Sequence, residues 1–190
     1  MKWWAYVPLV LIAVVLDTSF MPVAAIGEIV PRVTPALVVL VALYAHRQVA
    51  FAAAIVAGLV VDLNTTELVE GLRPYVLIGP TALGFLLGTA IVLPLRSMVV
   101  RRNPLAFGFL VAFFSLGAML VTTLIFSVRG WYSSSPPWIE GGGRALGWMG
   151  VESLRALWSG CVAVILSYPI HRCTSVLGFS GSAPWSSRRG

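Results

Sequence analysis

Charge is scarce in this chain. Only 11% of its 190 residues are Asp, Glu, Lys or Arg, whereas 58% are hydrophobic. A soluble domain carries roughly a quarter charged residues. So little charge excludes an ordinary water-soluble catalytic domain, and the apolar excess must face lipid. Cysteine is limited to Cys161 and Cys173. Twelve residues of helix would separate them by about 18 Å, beyond the reach of a disulfide. Two cysteines alone make no zinc site either. Histidine is limited to His46 and His171, both at the edges of apolar runs and away from any nucleophile candidate. No G-x-S-x-G, H-E-x-x-H or Walker sequence occurs. The sequence therefore nominates no catalytic, cofactor-binding or metal residue and points to a protein that is not an enzyme. The net charge of +6 comes from short basic clusters beside apolar runs. That pattern fits an anionic bilayer surface, not nucleic acid.

What is abundant is long apolar sequence. Six stretches, at about 3–26, 33–45, 49–61, 75–95, 104–128 and 151–170, organise the chain. Four are long enough for roughly 30 Å of hydrocarbon, and the second and third, at about 13 residues, are short. A re-entrant hairpin over 33–61 would put His46-Arg47-Gln48 near mid-bilayer, where an arginine costs at least a few kcal/mol. Two short spanning helices are preferred, extended by Ile29–Arg32 at one end and Asp62–Leu63 at the other. Thinning or tilt absorbs the remainder. The sequence thus predicts an all-α, polytopic integral membrane protein with six transmembrane helices. One transmembrane domain covers 1–177, and 178–190 form a disordered cytoplasmic tail. The run that begins Met1-Lys2-Trp3-Trp4 reads as a retained first helix. Asp17 interrupts it, and Pro22 and Gly27 offer no A-x-A cleavage site. No internal repeat is apparent.

Charge placement predicts the topology. With the N-terminus inside, Lys2, Arg47, Arg96, Arg101, Arg102, Arg172, Arg188 and Arg189 are cytoplasmic. The outer side then holds Arg32, Arg73, Arg129, Arg144 and Arg155, together with Glu28, Asp62, Glu67, Glu70, Glu140 and Glu152. The basic bias favours both termini in the cytoplasm. The polar loop 62–75 and the loop 129–150, with its Ser-Pro and Gly-rich segments, would lie outside. Trp131, Tyr132, Trp138 and Trp148 suit the outer membrane interface.

Asp17, near the middle of the first predicted helix, is the first candidate, because a carboxylate within a span is a functional candidate by default. The plainer reading is a hydrogen-bonded residue that faces other helices. No second carboxylate lies at similar depth, which argues against a proton relay or an aspartyl pair. Asp62, at the end of the third stretch, could order the outer loop by accepting backbone N–H bonds, or bind a partner. Asn64-Thr65-Thr66 matches a glycosylation acceptor only at the level of chance. Gly84 and Gly88 form a G-x-x-x-G, and Ala50, Ala54 and Gly58 form a stripe at the same spacing, as do Gly108 and Ala112. Small residues let helix backbones approach closely in lipid. Packing within the chain is the plain reading and docking of a partner's helix the sharper one. Partner-binding or helix-packing roles therefore fall on Asp17, Ala54, Gly58, Asp62, Gly84 and Gly88. Glu152 and Arg155 form an ordinary i,i+3 pair.

The order of these features resembles the bacterial rod-shape-determining protein MreD family. The resemblance rests on Leu16-Asp17-Thr18-Ser19-Phe20-Met21-Pro22 with Gly27, then Thr34-Pro35-Ala36-Leu37 through Tyr44. It continues in Gly58-Leu59-Val60-Val61-Asp62 and Gly79-Pro80-Thr81-Ala82-Leu83. It covers about 15–102 by motif and the rest by layout. The loops at 62–75 and 129–150 are longer than the family's, and Ala36 stands where a carboxylate usually follows the proline. The resemblance implies a fold like the substrate-binding subunits of energy-coupling-factor transporters. It also implies a non-enzymatic scaffold in the cell-wall elongation (rod shape) complex of the bacterial inner membrane. The implied partners are an MreC-like single-pass protein, with an MreB-like filament, RodA and a class B penicillin-binding protein in the same complex. The alternative is a small-molecule-binding subunit of a vitamin transporter of the energy-coupling-factor type. That reading needs an outward polar pocket and alanine-rich cytoplasmic helix faces for an ATPase module.

Overall fold

The computed structural model describes residues 1–27, 29–64, 78–96, 103–129 and 144–179. They form six α-helices: α1 (Trp3–Ser19), α2 (Thr34–Tyr44), α3 (Arg47–Asn64), α4 (Pro80–Leu95), α5 (Pro104–Arg129) and α6 (Arg144–Val176). A 3₁₀ turn at Met21–Ala24 follows α1. Among the described residues the only β pairing is an isolated bridge between Ile26 and Ile29. Helices α3, α5 and α6 are long and apolar enough to cross a membrane, whereas α1, α2 and α4 are apolar but shorter.

The short α2 is the centre of the bundle. Its sequence, TPALVVLVALY, is apolar on every face, and every residue from Thr34 to Leu43 is buried. It packs against α1, α3, α4, α5 and α6. A helix that is hydrophobic all round needs neighbours all round. Its length of about 16 Å is set by those neighbours rather than by the bilayer. The expected extension of this helix through Ile29–Arg32 does not form. Ile26 and Ile29 pair across a tight turn in which Gly27 has φ 62°, and helix begins only at Thr34, with Pro35 in its first turn. The other expected extension does form, since α3 runs through Asp62 and Leu63 to Asn64.

Contacts sort the helix ends into two groups. At one end the Lys2 N–H donates to the Leu177 carbonyl at 3.1 Å, joining the start of α1 to the end of α6. There the Tyr44 ring stacks on Phe179, and His171 sits edge-on to both Tyr44 and Phe107. Arg96, which ends α4, reaches the last turn of α2 at the same end. At the opposite end the indole of Trp158 donates to the Ala24 carbonyl at 2.9 Å, and the Arg32 N–H donates to Ser159 Oγ at 2.9 Å. Successive helices therefore alternate in direction, and Lys2 and Leu177 share one end. Among the described residues that end carries Lys2, Arg47, Arg96 and Arg172 and no carboxylate; the other carries Asp17, Asp62 and Glu152 with Arg32, Arg129, Arg144 and Arg155.

Glycine seams hold the outer helices together. A Cβ on Gly84 would lie 2.8 Å from the Ala118 carbonyl oxygen, and one on Gly108 would lie 2.6 Å from the Gly160 carbonyl oxygen. These approaches bring α4 onto α5 and α5 onto α6 closely enough for dispersion and weak polar contacts to act. The exterior is apolar. Leu154, Leu157, Ile165 and Tyr168 on α6, with Leu105, Phe109, Leu120 and Leu124 on α5, are exposed. Such continuous apolar faces are rare on soluble monomers and suit a hydrocarbon solvent. Leu177 is fully buried and Phe179 packs against the core, so the folded region passes the expected boundary at 177 by two residues. Residues 180–190 and most of the loops 62–75 and 129–150 lie outside the described residues.

Candidate functional site: helix-end carboxylates and a polar cleft

A helix that starts inside a protein leaves its first N–H groups without partners. Val33, which precedes α2, has no side chain that can cap it. Asp17 supplies the cap from α1. One carboxylate oxygen accepts the Val33 N–H, and the other accepts the Thr34 N–H at 3.0 Å and the Thr34 hydroxyl at 2.5 Å. A negative charge there also meets the positive end of the α2 dipole. Asp17 is third from the end of α1. It therefore lies in the last helical turn, not near the middle of the span as the apolar run 3–26 implies.

Asp62 repeats the device. It too is third from the end of its helix. It accepts the Gly79 N–H at 2.8 Å, the Thr81 N–H at 3.1 Å and the Ala82 N–H at 3.4 Å, and so caps α4. Gly79 enters that helix with φ 127°, a conformation suited to glycine. The sequence reading gave Asp62 a role in accepting backbone N–H bonds from the outer loop, and the groups that it reaches are the helix start beyond that loop.

The far end of α2 is capped by a cation. Arg96 Nη1 donates to the carbonyls of Ala42 at 3.0 Å and Ala45 at 2.9 Å. The last carbonyls of a buried helix need donors, and a guanidinium also complements the negative end of the dipole. Sequence reading counted Arg96 only as a cytoplasmic charge. Its signal was its position just past the Pro94-Leu95 end of an apolar run.

The small residues meet neighbours of the same chain. Ala54 is fully buried in the core. A Cβ on Gly58 would overlap Ala82 of α4, lying 2.7 Å from its backbone nitrogen, and one on Gly88 would lie 2.8 Å from the Phe114 carbonyl oxygen. These faces are occupied by α4 and α5.

Between the capped helix starts lies a polar cleft that sequence reading missed. One cavity of about 240 Å³ is bounded by Asp17, Thr18, Arg32, Thr34, Asn64 and Arg155, with Val14, Val30, Val61 and Phe85 as apolar wall. A second, of about 70 Å³, adjoins it and adds Thr81, Ser115, Thr122, Glu152 and Ser159. Arg32, Pro35, Phe85 and Arg155 border both. Arg155 pairs with Glu152 through Nη1. Its Nε and the Ser115 hydroxyl are buried without a hydrogen-bond partner among the described residues. The lining comes from all six helices and the segment before α2, so no sequence window contains it. Among the described residues no group of three or more His, Cys, Asp or Glu is arranged to hold a metal ion.

No protein-family model, curated protein or solved structure matches the chain.

Proposed function

We propose that the chain is a scaffold subunit of the MreD type in a bacterial inner membrane. It would cross the bilayer six times with both termini in the cytoplasm. It would hold an MreC-like single-pass protein in the cell-wall elongation complex, beside an MreB-like filament, RodA and a class B penicillin-binding protein. One observation carries this reading. Asp17 and Asp62, the carboxylates of the motifs on which the resemblance rests, both engage the backbone of the next helix in the chain. Their work is to fix helix starts, as befits a rigid body on which others assemble. The end that Lys2 and Leu177 share carries Lys2, Arg47, Arg96 and Arg172 with no carboxylate among the described residues, and this net positive charge supports its cytoplasmic placement. Affinity purification of the full chain in mild detergent tests the proposal. Recovery of an MreC-like protein is the expected outcome.

The polar cleft favours a second reading, a small-molecule-binding subunit of the energy-coupling-factor type. Co-purification of an ATPase pair in the same experiment, without the MreC-like protein, would decide for it.

A further inference from the structure

We propose that the cleft over the start of α2 binds an anionic head group, a phosphate or carboxylate, joined to an apolar body. The hydrogen bonding of the cleft argues for it. Four of its polar side chains are already engaged. Asp17 serves the start of α2, and Glu152 pairs with Arg155. Ser159 Oγ accepts from the Arg32 N–H and donates to the Arg155 carbonyl at 2.8 Å. The Thr122 hydroxyl turns back to its own helix, 2.9 Å from the Met119 carbonyl.

What remains open is donor capacity. Arg155 Nε and the Ser115 hydroxyl are buried and unpartnered among the described residues. Arg32 lines both cavities. A buried donor without an acceptor is costly, more so on a charged group. An anion rich in oxygen acceptors is the natural complement of such donors and suits the fork of an arginine. The walls beside these donors are Pro35, Phe85, Ala118, Met119 and Ala156, which favours a ligand whose remainder is apolar. The site does not require the scaffold reading; it deepens the second reading by naming the class of ligand, and its test needs no ATPase partner.

The test uses the full chain purified in a neutral detergent, with thermal stability followed during titration. Dodecyl phosphate is the probe, inorganic phosphate supplies the head alone, and dodecyltrimethylammonium supplies the chain with the opposite charge. Saturable stabilisation by dodecyl phosphate is expected, with apparent Kd about tenfold weaker in Arg32→Gln and in Ser115→Ala. Neither substitution removes a side-chain hydrogen bond seen within the described residues, so both variants should fold. Stabilisation by dodecyl phosphate alone supports the site and identifies a lipid-borne head; stabilisation by inorganic phosphate as well supports it and identifies a soluble anion. No saturable shift, an equal shift with dodecyltrimethylammonium, or wild-type affinity in both variants would overturn the proposal.

Discussion

Asp17 reaches from the last turn of α1 to Thr34 and takes both its backbone N–H, at 3.0 Å, and its hydroxyl, at 2.5 Å. Asp62 stands in the same relation to the start of α4. Each carboxylate is third from the end of its helix, and each serves a helix whose first turn contains proline. The pairs α1–α2 and α3–α4 thus share one construction. The repeat is invisible in the sequence because it consists of little more than an aspartate and a proline-bearing helix start about 18 positions later.

The first prediction concerns these caps. Asp17→Leu leaves two backbone N–H groups and the Thr34 hydroxyl without their acceptor. Each buried unsatisfied group costs about 1–3 kcal/mol. Asp17→Asn keeps one acceptor oxygen but turns an NH₂ toward donors, so its loss should be intermediate. Thermal unfolding in detergent should rank wild type above Asn above Leu, and the same order should hold at position 62. An Asp17→Asn protein with wild-type stability but no assembly with partners would show that the charge has a task beyond capping.

The second prediction concerns Arg96, which closes the other end of α2 through the Ala42 and Ala45 carbonyls. Arg96→Leu should destabilise the bundle by about 1–3 kcal/mol, because both carbonyls lose a charge-assisted bond. Arg96→Lys should recover part of this through the dipole term. Equal unfolding temperatures for the Leu and Lys variants would count against the capping role.

Much of this architecture was legible in the sequence, for definable reasons. Apolar runs poor in charge located all six helices, and small-residue spacing located the seams at Gly58, Gly84 and Gly88. Hydrophobic composition reports burial but not depth or partner. It therefore placed Asp17 near mid-span, although α1 ends at Ser19 and the apolar residues Phe20, Val23 and Ile26 continue as an exposed segment outside any α-helix. The capping role of Arg96 depends on the position of α2, 51 or more residues earlier in the chain. The cleft was hidden for the same reason, since Arg32 and Ser159 meet across 127 positions.

The third prediction separates packing from partner docking at the glycines. A side chain on Gly84 or Gly88 meets the backbone of α5. Overpacking of this kind costs about 1–3 kcal/mol or more. Gly84→Leu and Gly88→Leu should lower the unfolding temperature of the isolated protein before any partner is added. Gly147→Ala, at a position with open space around it, is the control and should leave stability unchanged or slightly raised. If Gly84→Leu unfolds like wild type yet fails to co-purify with partners, the seam between α4 and α5 is not its site of action.

The last prediction is the orientation of the bundle. The helix ends form two groups, and the group containing Lys2, Arg47, Arg96 and Arg172 has no carboxylate among the described residues. Basic residues near the ends of spans are retained in the cytoplasm. The link between α2 and α3 lies at this end, so a cysteine at position 47 should face inward, while one at position 67, beyond the end of α3, should face outward. Cys161 and Cys173 are free thiols, and both must be replaced by Ser or Ala before single cysteines are introduced. In intact cells a membrane-impermeant maleimide should then label position 67 and spare position 47 until the membrane is opened. Labelling of position 47 without position 67 would invert the bundle. It would also place Asp17, Asp62 and the cleft on the cytoplasmic side.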